Sequence, residues 1–289
     1  MKIAMITMVY NDEVILSLWV KHYRKQLPDA HLIVIDHGSN PPVKLNVDNL
    51  SVIRLQRSDF DDRRRSLMIS QLQRAFLNEF DYVGYTDTDE LIVAKINNIL
   101  RDSLIFDGGG HFDGAIVACG VNIWHRPSFE SAIDLESPIF KQRTMGIIEK
   151  AMCKPFISKF PASWIPGFHT SNLKPIIGSG YFMFHLKYMD CNTSLSRLNL
   201  TKSINWSNES LSRGWGRHQR IEDSALLKKF IRNEKNSLGL LPDLIEKSSL
   251  YMQNLVDGYI LDSEGNYRCD ADLQAVPVKI PEALLVKLP

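Results

Sequence analysis

One stretch limits what this chain can become more than any other: residues 81–91, DYVGYTDTDEL. Tyr82, Val83, Gly84 and Tyr85 are aromatic, β-branched or small, as a buried strand requires. The chain then turns abruptly acidic at Asp87, Asp89 and Glu90. Carboxylates so close in sequence repel one another. A hard divalent cation such as Mg2+ or Mn2+ removes that repulsion through oxygen ligands. An Asp-x-Asp at a strand end lets one metal, and the phosphates it carries, reach both side chains. The same residues also suit a solvated acidic turn capping a helix that starts near Glu90. The rest of the sequence must decide between the two.

Residues 2–9 are almost continuously apolar, the pattern of a parallel strand covered on both faces, and they lead into Asn11-Asp12-Glu13. A capped helix with Leu16, Leu18, Trp19, His22 and Tyr23 follows. Further strands are predicted at 31–35, 51–55 and 81–85, with an amphipathic helix at 66–80 before the last. Repeated βαβ units predict an open, mostly parallel sheet with helices on both faces. We expect an α/β catalytic domain over 1–235 and a C-terminal helical and extended segment over 236–289 packed on it. Ligands of such sheets sit beyond the carboxyl ends of the strands. The polar clusters fall at those ends: Asn11 to Glu13, Asp36 with Gly38 and Ser39, residues 57–65, and Asp87 with Asp89. Together they predict a site for an anionic ligand held with metal. Singly, each has a plainer reading. Asp36 can accept from a ribose or base, or form an Asx-turn. Arg63, Arg64 and Arg65 can meet phosphate, or pair with Asp59, Asp61 and Asp62.

Composition narrows the partners. A net charge of +1 argues against broad electrostatic binding to nucleic acid or an acidic membrane. Cys119, Cys153, Cys191 and Cys269 lie far apart with no zinc spacing and read as reduced thiols, so we expect a cytoplasmic protein. The opening MKIAMITMVYNDE reads as a first strand and not a signal peptide. No apolar run approaches the roughly 20 residues needed to span a bilayer, so any membrane contact is peripheral, at its inner face.

The second half is less regular. Gly108-Gly109-Gly110 reads as a loop. A strand is expected at 114–121, followed by a loop from Trp124. Residues 155–175 are rich in aromatics and proline, which suit either a core or a sugar platform. His169 and His185 are candidate additional metal ligands, and Lys154 and Lys187 candidate phosphate partners. Residues 205–220, glycine-bearing with Trp206, Trp215 and His218, read as a mobile lid, an acceptor loop or an exposed connection. A helix is expected at 242–255.

These residues carry a resemblance. Residues 5–13, the helix with Leu18-Trp19-Val20-Lys21-His22, Val34-Ile35-Asp36-His37-Gly38-Ser39 and Asp87-Thr88-Asp89-Glu90 resemble a nucleotide-sugar glycosyltransferase of the A-type fold, family 2-like. A bacterial subgroup related to family 92 is similar in showing Asn-x-Glu, Trp-x-x-His and Asp-x-Asp-Glu in this order. Phe112-Asp113-Gly114 to Trp124, Lys154-Pro155, Gly167-Phe168-His169 and Phe184-His185-Leu186-Lys187-Tyr188 also resemble its signatures, over about residues 1–200. The resemblance implies a Rossmann-like A-type fold and sugar transfer from a nucleotide sugar to a saccharide or lipid-linked saccharide, with inversion, in bacterial capsule or lipopolysaccharide synthesis. It implies Mn2+ or Mg2+ on Asp89 and Asp87, with His169 or His185. Asp36, Asn11, Glu13, one of the three arginines and Lys154 would face the donor. Glu222-Asp223 resembles the pair whose Asp is the general base, although it equally suits the start of a helix. Two other readings stay open: a nucleotidyltransferase, and a non-catalytic sugar-nucleotide-binding scaffold.

Overall fold

The computed structural model describes residues 1–96, 99–108 and 113–287. Gly109, Gly110 and Phe112, part of the expected loop and Asp-Gly signature, lie outside the described residues.

The first half alternates as its apolar pattern dictates: β1 (Ile3–Val9), α1 (Glu13–Gln26), β2 (His31–Asp36), β3 (Leu50–Arg54), α2 (Asp62–Phe76), β4 (Tyr82–Tyr85) and β5 (Glu90–Ala94). Then come α3 (Leu100–Gly108), β6 (Gly114–Val117), β7 (Cys119–Trp124), α4 (Ile139–Gln142), β8 (Met145–Ile148), β9 (Pro155–Ser158), β10 (Lys174–Ile176) and β11 (Tyr181–Tyr188). The remainder is α5 (Cys191–Ser203), α6 (Asn208–Arg213), α7 (Asp223–Asn236), α8 (Leu244–Asp257), the hairpin β12 (Tyr259–Leu261) with β13 (Tyr267–Cys269), β14 (Val276–Lys279) and α9 (Glu282–Leu285).

The central sheet runs β10-β6-β9-β4-β1-β2-β3. β3, β2, β1 and β4 are mutually parallel, and β9 runs against both β4 and β6. This is a mixed α/β fold with a mostly parallel central sheet, as the alternating pattern predicts. A second sheet, β14-β8-β7-β11-β5, lies beside it. The turn at 86–89 leaves β4 in the first sheet and enters β5 in the second. The acidic motif therefore sits where the two sheets meet.

Two expectations change. Glu90 does not open a helix: it opens β5, whose residues are all buried and pair antiparallel with β11, Glu90 opposite His185. The sequence ELIVA, β-branched and apolar, suits a covered strand better than a surface helix. The expected strand at 114–121 is two strands, β6 and β7, that separate at Ala118 into different sheets.

Helix α1 holds the acidic turn from behind. Trp19 Nε1 donates to Thr86 Oγ1 (2.9 Å), and Tyr23 Oη donates to the Glu90 carbonyl (3.2 Å). His22 Nε2 donates to the Ile92 carbonyl (2.8 Å). Burial lowers the His22 pKa to about 4, which keeps the ring neutral. The Trp-x-x-His spacing is thus a set of buried polar tips on the helix face that covers β5.

At Gly120 on β7 the backbone of Met152 approaches so closely that a Cβ would lie 2.1 Å from its carbonyl carbon. Gly120→Ala should cost at least about 2 kcal/mol of unfolding free energy, read as a lower urea midpoint; an unchanged midpoint would contradict this packing.

Candidate active site

Beyond the carboxyl ends of β1, β2 and β4 lies a cavity of about 630 Å3. Its floor is the acidic turn. The Asp87 carboxylate accepts from Tyr85 Oη (2.7 Å) and Arg65 Nη1 (3.2 Å), with Lys154 Nζ at 3.8 Å. Lys154 also donates to Glu90 Oε1 at 2.6 Å. The Asp89 carboxylate accepts from Arg197 Nη1 at 2.6 Å, and the same guanidinium reaches Asp12 Oδ2 at 2.9 Å.

Burial alone would raise the pKa of these acids. For Asp89, the Arg197 guanidinium opposes burial and holds it well below the usual carboxylate range. Arg65 and Lys154 do the same, less strongly, for Asp87. Burial wins at Glu90 and Asp12, whose pKa values are raised. The site is a dense lattice of opposite charges with little water access: the Asp89 side chain is 8% exposed.

His185 on β11 has a defined orientation. Asn122 donates its amide to Glu149, so its Oδ1 accepts from His185 Nδ1 (2.6 Å). In the neutral ring this turns the Nε2 lone pair toward Asp89 Oδ2, 3.4 Å away. A shared cation would satisfy both acceptors. Among the described residues no three His, Cys, Asp or Glu side chains form a ready-made metal cluster. The donor set nonetheless suits Mg2+ or Mn2+, which are held by one or two carboxylates and take other ligands from phosphate and water. Arg197, on the same Asp89 oxygen, would have to yield to it.

His169 opens into the same cleft. Its ring lies against Gly167, where a Cβ would be 2.7 Å from it, and Gly167 adopts φ +81°. Glycine is required there on both counts. The surrounding protein and the Lys154 charge lower the His169 pKa to about 4.

At the β1 and β2 ends, the Arg57 guanidinium stacks over Tyr10 at 3.9 Å from the ring centroid and donates to His37 Nδ1 at 2.9 Å. This planar array, and not Asp36, faces the cavity. Asp36 is fully buried, with its oxygens taken by Ser39 N, Val43 N and Arg54. The expected nucleoside contact is therefore an internal Asx-type tie of the loop after β2. Asn11 and Glu13 are exposed and outside the cavity wall, Asn11 bonding the Asn40 amide. Arg63 pairs with Glu209, and Arg64 points to solvent near Asp61. Helical phase explains the choice: of the three arginines, only Arg65 lies on the face of α2 that meets the acidic turn.

Asp223 and Glu222 also fall outside. The Asp223 carboxylate is about half exposed and pairs with Lys202 Nζ at 3.1 Å. Glu222 lies at the start of α7, on a separate open groove with Arg213, Arg217 and Arg220. Acids at the start of a helix are favourable without any catalytic duty. The cavity carboxylate that sequence reasoning missed is Glu149, which follows β8 and, among the described residues, accepts from the neutral Asn122 amide alone. Arg197 and Tyr10 were missed too, whereas Arg57 belongs to the 57–65 cluster expected at the site. Trp215 and His218 from the 205–220 segment do line the cavity.

No family model matches the chain, and no curated protein does. Among solved structures it is similar to the mannosyltransferase PcManGT from Pyrobaculum calidifontis, in complex with GDP-Man and Mn2+. That match has 14% identity and a TM-score of 0.26, over 40% of this chain and only 34% of the mannosyltransferase chain. It is also similar to S. aureus TarS 1–349, at 13% identity and a TM-score of 0.34, over 89% of this chain and 80% of that one. Likenesses this slight carry no argument about activity, which rests on the site. No described helix is long and apolar enough to cross a membrane.

Arg197→Met would leave Asp12 and Asp89 facing each other without a counter-charge. It should cost about 3 kcal/mol of stability, with part recovered in Arg197→Met/Asp89→Asn. Equal loss in the single and double variants would contradict this electrostatic reading.

Proposed function

We propose that the chain is a glycosyltransferase that moves a sugar from a nucleoside-diphosphate donor to a saccharide hydroxyl. The observation that carries the reading is the acidic turn at the carboxyl end of a parallel sheet, ringed by Arg65, Lys154 and Arg197. That combination of acids and bases suits a metal-bound diphosphate. The Tyr10–Arg57–His37 array beside it offers flat surfaces and donors to a base and ribose.

Asp89 and His185 would hold Mn2+ or Mg2+, with Asp87 close by. The cation would stabilise the negative charge of the departing diphosphate as a Lewis acid. Arg65 and Lys154 would face the same charge from the protein side and keep the phosphates aligned. Glu149 would be the base. Asp12 has a guanidinium on its carboxylate, whereas Glu149 is exposed and, among the described residues, pairs with no cationic side chain. In a single displacement with inversion, the acceptor hydroxyl gives its proton to Glu149. Its oxygen bonds the anomeric carbon as the bond from that carbon to the diphosphate breaks. The acceptor we propose is a saccharide or lipid-linked saccharide of bacterial surface polysaccharide synthesis. The support for that setting is the motif resemblance.

The test is release of nucleoside diphosphate from a panel of nucleotide sugars, with Mn2+ or with EDTA, by wild type and Glu149→Gln. The expected outcome is metal-dependent turnover that falls by about 10^2 to 10^4 in Glu149→Gln while donor binding persists. Equal turnover in the two proteins would remove Glu149 as the base, and no turnover from any donor would count against the activity.

A further inference from the structure

Apart from Arg57, which stacks on Tyr10, the arginines and lysines that line the cavity fall into two groups. Arg65, Lys154 and Arg197 are each tied to carboxylates. Lys187 on β11, Lys229 on α7 and His218 in the 3-10 turn Arg217–Gln219 line the same cavity from three separate elements. No carboxylate within salt-bridge distance is found for either lysine among the described residues. Lys187 Nζ instead lies 5.7 Å from the Tyr188 ring centroid. These groups act on one another. Burial, then Lys187 and Lys229, lower the His218 pKa to about 3. Like charges gathered in a recess repel one another, and an anion among them reverses the sign of that interaction.

We infer that Lys187, Lys229 and His218 form a second anion subsite, one that takes a phosphate group carried by the acceptor. The inference rests on the proposed transferase reading. Phosphate is favoured because a tetrahedral group with several acceptor oxygens can meet donors that arrive from three elements at once. The two ammonium groups match its double charge. The neutral imidazole of His218 adds an N–H donor. Leu198, Ile221 and Leu226 line the cavity on the same α5–α7 side, so this wall offers an apolar surface beside the anion. Arg65 and Lys154 gather instead at Asp87, on the side of α2. The cavity thus has one cationic pole for the donor's diphosphate and another for the acceptor.

The test is calorimetric titration of inorganic phosphate, in EDTA, into the full chain and into Lys187→Gln, Lys229→Gln and the double variant. Affinity should fall at least about tenfold in the double variant, the worth of one charge-assisted contact. Without phosphate, each single variant should melt at or above the wild-type temperature, because a repulsion has been relieved. Equal phosphate affinity in all four proteins overturns the subsite, as does the absence of any binding to wild type. The titration is then repeated with Mn2+ and a panel of nucleoside diphosphates present. Phosphate binding that persists beside a bound nucleotide supports the acceptor assignment. Displacement of phosphate by nucleotide would instead give the lysines to the donor and overturn it. If no nucleotide binds, the transferase reading fails while the titration in EDTA still reports on the subsite.

Discussion

The Arg197 guanidinium, held between Asp12 and Asp89, is the contact on which the site depends. It ties α5 to the end of β1 and to the acidic turn, three pieces far apart in sequence. Without it, two largely buried carboxylates would face each other. Lys154 and Arg65 do the equivalent work at Glu90 and Asp87. Such pairing is expensive in desolvation and adds little net stability. A fold that concentrates so many buried charges at the end of its strands is better explained by what the charges can bind. A divalent cation and a diphosphate bring both signs with them and can exchange partners with the protein's own acids and bases without leaving any charge bare.

The rest of the structure keeps this lattice in register. Trp19, His22 and Tyr23 fix the turn and β5 from the α1 side. Pairing of β11 between β5 and β7 places His185 next to Glu90 and Asn122. The chain therefore crosses from one sheet to the other at the very residues that carry the chemistry, which leaves the acidic turn little freedom to relax. A rigid floor of this kind suits a reaction in which charge must be met as it develops.

Much of the architecture was legible in the sequence because period and punctuation are local. The apolar run of β1, the strand at 82–85 and the polar clusters at strand ends placed the cavity on the correct edge of the sheet. Lys154 and His185 lie at the acidic turn, as their motif context suggested. What failed depends on contacts that sequence distance hides. Asp36 looked like a ligand contact, yet its carboxylate closes its own loop. Three adjacent arginines are alike in sequence and are separated only by helical phase. Asp223 fits a motif but faces Lys202. Arg197 is one basic residue in a weakly patterned helix, and nothing nearby announces a partner 108 positions away. Glu149 likewise gains meaning only through Asn122 on the neighbouring strand.

The central claim is that the acidic turn binds a diphosphate through a divalent cation. Thermal unfolding of wild type and Asp89→Asn, each with nucleoside diphosphates in Mn2+ and in EDTA, tests it most directly. The account predicts a rise in melting temperature for wild type that needs both the nucleotide and Mn2+, and its loss in a folded Asp89→Asn protein. An equal rise in EDTA, or an undiminished rise in Asp89→Asn, would contradict it.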